Sequence, residues 1–145
     1  MTEFVVRNGD LAPDAPGASA IVAWFGRWPS FHDAEVLQLH LARRGESHLD
    51  LHTWGLGHLD GETGRFQRER ECVVRIVLVD VVDLQLQNFS VQNVIVGLGV
   101  WRDHEGWRVE LRPCYGLAGW VRCRSIRFSF AEGPPGSASG ESGAT

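Results

Sequence analysis

The chain has 145 residues, enough for one domain to bury a core without disulfides or metals. Its 43% hydrophobic and 22% charged residues are the proportions of a globular protein, and no apolar run nears the roughly 18 residues of a membrane-spanning helix. A net charge of -4 argues against a general nucleic-acid binder, and the 14 basic residues are all arginine, which removes lysine Schiff-base and P-loop lysine chemistry.

The opening MTEFVVRNGD has neither the basic start nor the long apolar stretch of a secretory signal, so the cytoplasm is the expected location. Leu11 to Gly17 is a proline-rich connector. Ser19 stands where it can cap a short helix through Ala20 to Phe25; Gly26 stops that helix and Pro29 keeps it from resuming. Trp24 and Phe25 are expected on its buried face.

After Asp33 the period changes from helical to alternating. Over Val36 to Arg43, Leu37, Leu39 and Leu41 share one face and Gln38 and His40 the other; over His48 to Trp54, Leu49 and Leu51 oppose His48, Asp50 and His52. The turn Arg44 to Ser47 joins these two strands as a hairpin. A polar, glycine-rich loop, His58 to Arg65, follows. Cys72 to Val79 and Val82 to Gln87 each alternate, with the phase broken near Asp80, which predicts two strands or one bent strand with a bulge. Val94 to Trp101 and Trp107 to Leu111 flank the hairpin loop Arg102 to Gly106. Trp120 to Phe130 reads as the last strand, with a bulge where its phase shifts near Arg124 and Ser125. Gly97 and Gly99 lie inside a strand, where close packing explains them better than a nucleotide.

These elements predict a mainly β, α+β domain: an antiparallel sheet or sandwich of about 6–8 strands with one short N-terminal helix. One domain is expected over residues 1–131, and 132–145 reads as a disordered Gly/Ser/Pro tail. The three cysteines, Cys72, Cys114 and Cys123, are odd in number and without C-x-x-C spacing, so they are read as reduced thiols.

Three groups of side chains invite a chemical reading. His48 and His52, with Asp50 between them and His40 across the hairpin, offer nitrogen and oxygen donors on one face, but a dedicated zinc site needs three or four convergent ligands. An exposed polar face is the simpler account. His32, Asp33 and Glu35 include a possible base beside a carboxylate, yet no G-x-S-x-G elbow or H-E-x-x-H helix accompanies them, and Ser30 and Asp33 suit turn hydrogen bonds. Among six tryptophans, Trp107 is expected in the core, while Trp54 and Trp101 are the candidates for exposed anchors. Arg122, Arg124 and Arg127 are read as a solvated sheet face.

The segment WPSFHDAE, Trp28 to Glu35, and the later Tyr115 to Gly119 run leading into Cys123 to Ile126, resemble the immunity protein 50 family over roughly residues 21–130. The resemblance implies an antitoxin of a bacterial polymorphic toxin system, encoded beside the toxin it neutralises. It implies a cognate toxin protein as partner, without catalysis or cofactor; from the residues themselves no metal, nucleic acid or membrane is expected. The family motif falls on Trp28, Pro29, Phe31, His32, Asp33 and Glu35, and a motif shared by proteins that face different toxins reads as a structural corner.

Residues 1–63 carry nine acids against four arginines, whereas residues 101–130 carry six arginines against three acids. An acidic half suits a basic partner, so Asp50, His52, Trp54, Asp60 and Glu62 are the expected toxin contacts. Two other readings compete: a small metal-dependent hydrolase using His32, Asp33 or the His40, His48 and His52 face, and a non-catalytic ligand-binding β domain.

Overall fold

The computed structural model describes residues 12–59, 61–62, 64 and 66–136. One helix, α1 (Ala18–Phe25), precedes six strands: β1 (Glu35–His40), β2 (Glu46–Leu59), β3 (Phe66–Gln87), β4 (Val94–Asp103), β5 (Gly106–Tyr115) and β6 (Ala118–Glu132). All pair antiparallel, and the sheet neither stays open nor stacks as a sandwich. It closes into a barrel in the order β1-β2-β3-β6-β5-β4. Of the predicted tail, residues 137–145 lie outside those described.

A six-stranded barrel is narrow enough for inward side chains to fill it. Leu49, Leu51 and Thr53 of β2, Val74, Ile76 and Leu78 of β3, Leu98 and Val100 of β4, and Val109 and Leu111 of β5 form that filling with Ile126 and Phe128 of β6. The alternation read from the sequence therefore places most of the core. Leu37 and Leu41 depart from it; both are exposed, Leu37 because a register shift between Val36 and Gln38 puts it out of phase with Leu39.

The phase break in the middle of the chain is a single bend in one 22-residue strand. Asp80 takes a positive φ of 58°, its N–H donates to the Gly45 carbonyl at 2.9 Å, and the register with β6 shifts between Val81 and Asp83. Beyond the bend β3 pairs with β6 on one side, and among the described residues no strand pairs with its other edge. Exposed large apolar side chains lie beside this open edge: Leu41, Val82 and Leu84 line one shallow groove and Phe89 another.

Helix α1 lies across β6. Its N-cap is Gly17, with φ 88° and no side-chain capping bond, so Ser19 does not cap it as expected. The reason is close approach: a Cβ on Gly17 would sit 1.9 Å from the Phe128 carbonyl oxygen, while the Phe128 N–H donates to the Pro16 carbonyl at 2.8 Å. The helix stops at Gly26, whose N–H reaches the Val22 carbonyl. Ile21 and Ala18 are its buried residues; Trp24 and Phe25 are partly buried, and the Trp24 indole N–H donates to the Arg70 carbonyl at 3.2 Å.

The segment after the helix closes the barrel. Trp28 and Phe31 are buried, and the Trp28 ring packs against Phe128 and Phe31, with centroids 5.4 and 5.5 Å away. Phe31 and Asp33 both have positive φ, 60° and 69°, so the chain turns sharply enough for the Asp33 N–H to reach the Ile95 carbonyl, 2.9 Å, and the Ile95 N–H the Ala34 carbonyl, 2.9 Å. With Val36 N–H to Asn93 carbonyl, 2.7 Å, these bonds join β1 to β4 where the ladder itself has only the Glu35–Val94 pair.

Asn93, which nothing in the sequence marked, secures the other side of this seam. It is 3% exposed; its Oδ1 accepts the N–H groups of Ser90 and Leu117 at 2.9 and 2.8 Å, and its Nδ2 donates to the Ser90 carbonyl at 2.8 Å. Through Leu117 it holds the Tyr115 to Gly119 run that forms the β5–β6 turn.

Candidate functional site

The outward positions of β2 bring most of the expected contact residues onto one wall. Asp50, directly opposite Arg75 on β3, is only 8% exposed and accepts two hydrogen bonds from that guanidinium, Nε to Oδ1 at 2.8 Å and Nη2 to Oδ2 at 2.9 Å. This forked bond is the strong form of an ion pair, and it holds the Arg75 pKa above its ordinary value. His52 makes a 2.6 Å bond from Nε2 to the Glu71 carboxylate, and its ring meets the half-buried Trp54 edge-on at 5.3 Å. Glu62 is exposed in the β2–β3 turn, and Asp60 lies outside the described residues.

Towards the other end of the same wall, His40 and His48 face each other across the β1–β2 ladder with rings stacked at 5.2 Å, and His48 Nε2 lies 3.1 Å from Gln38 Nε2. Burial lowers the His48 pKa and the Arg75 cation adds to that, against a smaller opposing effect of Asp50. His52 is bonded elsewhere, so the three histidines do not converge. Among the described residues no group of three or more His, Cys, Asp or Glu is arranged to hold a metal ion.

The corner residues line a cleft of about 380 Å³ between α1 and the far half of β2, with Phe25, Arg27, Pro29, Ser30, His32, Asp33, Trp54 and Gly55 around it. His32 Nδ1 lies 3.2 Å from Asp33 Oδ2, but both side chains are more than half exposed, at 62% and 57%. The turn hydrogen bonds expected of Ser30 and Asp33 form in two ways. Ser30 Oγ accepts the His32 N–H at 3.2 Å, and Asp33 braces the corner through its backbone. Glu35 is half-buried at the start of β1.

The opposite wall, β5 flanked by β4 and β6, carries a group the sequence did not assemble. Trp101 on β4 pairs with Arg108 on β5, and Glu110 on β5 pairs with Trp120 on β6. The Arg108 guanidinium stacks on both indoles, 5.6 Å from the Trp101 ring and 4.5 Å from Trp120. Trp101 lies over Gly99, where a Cβ would be 2.7 Å from the ring edge, so the glycine makes room for the aromatic.

Charge on this wall is compensated unevenly. Arg122 is bonded to Asp103 at 2.7 Å, with Glu105 at 3.6 Å, and Arg112 lies 3.7 Å from Glu110. The Arg122 bond pulls the Asp103 pKa below its ordinary value. Arg122 is thus largely buried rather than part of a solvated stripe. Arg108 has no carboxylate within ion-pair distance among the described residues, and its Nε is buried without a hydrogen-bond acceptor. Trp101, Arg108 and Trp120 are 19 positions apart from end to end, so only the register of three strands could have revealed them.

Cys72 and Cys123 are buried, and burial raises both thiol pKa values to about 11, whereas Cys114 is exposed. All three are free.

Compared with known proteins, the chain matches the family model described as Immunity protein 50 over residues 17–132. That span runs from the N-cap of α1 to the last residue of β6. No curated protein and no solved structure matches.

Proposed function

Because the chain belongs to the Immunity protein 50 family, we propose that it binds a cognate bacterial toxin domain in the cytoplasm and neutralises it by covering the toxin's working surface, without catalysis or a cofactor. The family match carries this reading, because it takes in the whole barrel together with the helix that braces it. The fold suits docking of this kind, since strands hold outward side chains in fixed positions and little ordering is required when a partner arrives.

A standard interface takes about 800 Å² from each partner, roughly a tenth of the 8466 Å² exposed by this chain. One wall of the barrel is therefore enough. The β2 wall and its hairpin, with His52, Trp54 and Glu62, is one candidate, although Asp50 is already committed to Arg75 and His52 to Glu71. The β4–β5–β6 wall is the other.

Co-expression with the toxin-like protein encoded beside this chain tests the proposal. Survival of cells that otherwise die, together with a complex that co-purifies, is the expected outcome. Death at the same rate with and without the chain, and no complex, refutes it.

A further inference from the structure

The wall formed by β4, β5 and β6 holds the most unusual arrangement on the surface. In a chain with net charge -4, the Arg108 guanidinium has no carboxylate within ion-pair distance among the described residues, while its neighbours Arg112 and Arg122 are each supplied with at least one. We propose that Arg108, held between Trp101 and Trp120, is the anchor by which this protein grips an acidic surface of its toxin, taking a partner carboxylate on its outer nitrogens. This rests on the neutralisation reading and names the surface and the chemistry it leaves open.

Three observations support it. First, stacking fixes Arg108 before any partner arrives: rings at 4.5 and 5.6 Å hold the planar group, so the side-chain entropy normally lost on binding is already spent. Second, a buried Nε without an acceptor leaves the guanidinium's hydrogen-bonding demand unmet within the chain, and a carboxylate on the outer nitrogens supplies the missing negative charge. Third, tryptophan and arginine are the residue types in which binding energy concentrates when neutral contacts surround them. Exposed apolar side chains, Val96 and Tyr115, lie farther along the same wall, five and seven residues along their strands from Trp101 and Arg108. The partner surface that fits is a carboxylate bordered by apolar side chains.

On the β2 wall the charges answer one another, Asp50 with Arg75 and His52 with Glu71. A partner charge there must displace an internal bond; at Arg108 it displaces none.

The test measures the affinity of the full-length chain for the toxin domain encoded beside it, with melting temperature as a control for folding. Arg108→Gln is expected to weaken binding by at least about tenfold, and Arg108→Glu by more, since it sets like charge against the partner. Gly99→Ala, which pushes Trp101 off its seat without touching Arg108, is expected to weaken binding in the same direction. Leu37→Ser, exposed on β1 beside β2 and away from this wall, should bind as the parent does. Wild-type affinity of Arg108→Gln and Arg108→Glu overturns the proposal, as does a loss produced by His52→Ala instead. If the unaltered chain neither binds nor protects, the neutralisation reading itself fails, an outcome separate from failure at Arg108.

Discussion

Asp33→Ala separates a backbone role for the shared corner from a side-chain role. Asp33 sits at φ 69°, a conformation that costs an L-residue with a Cβ about 1–2 kcal/mol and that aspartate tolerates better than alanine. Its ion pair with His32 is more than half exposed, so solvent screening leaves it about 0–0.5 kcal/mol. Alanine should therefore cost about 1 kcal/mol, or roughly 2–4 °C in Tm for a chain of this size. Asp33→Gly should be close to neutral, since relief of the positive φ offsets its added chain entropy of about 0.5–1 kcal/mol. Asp33→Val should cost more than alanine, because a β-branched residue at positive φ strains the seam that joins Asp33 to Ile95 and Ala34 to Ile95. The assay is urea unfolding followed by tryptophan fluorescence, with His32→Gln alongside. If glycine is as costly as alanine, or His32→Gln matches it, the side-chain pair and not the backbone braces the corner, and the reasoning is wrong.

Other perturbations reach different parts of the fold. Gly17→Ala places a Cβ 1.9 Å from the Phe128 carbonyl oxygen in a left-handed conformation, so α1 must lift from β6; calorimetry should show a loss of about 3–4 kcal/mol, and a cost under 1 kcal/mol contradicts the close approach. Asn93→Ala strands the buried N–H of Leu117 and that of Ser90, with an expected cost of about 2–4 kcal/mol by denaturant titration; a melt unchanged from the parent would count against Asn93 as the hub of that end. His48 has a folded pKa below 6.5, so the unfolded chain binds the proton more tightly and this residue's contribution is lost as pH falls through about 6.5 and towards the folded value. His48→Gln should therefore narrow the difference in Tm between pH 7.5 and pH 5.5; an equal difference in both proteins removes His48 from the pH response.

Much of the fold was legible because its causes are local. Alternation picked out Leu49 and Leu51, Val74, Ile76 and Leu78, and Ile126 and Phe128 as inward positions, and the phase break near Asp80 marked a real bend. Gly26 stopped the helix as its position suggested. Ser19 misled because a good capping residue is not used when a glycine two positions earlier must lie against Phe128. Leu37 misled because a bulge displaces a side chain without changing the pattern of residue types.

The chain alone determined that this is a β protein with one helix and a corner at Trp28 to Glu35, and the same segment pointed to the family that the match over residues 17–132 bears out. What it did not decide was which charges are free. Asp50 meets Arg75 across 25 positions, His52 meets Glu71 across 19, and Arg108 lies between tryptophans on two other strands. Those meetings depend on strand register and on closure of the barrel, and a slip of one residue would turn each side chain to the other face. Local periodicity sets which face a residue takes; only the closed sheet sets whom it meets there.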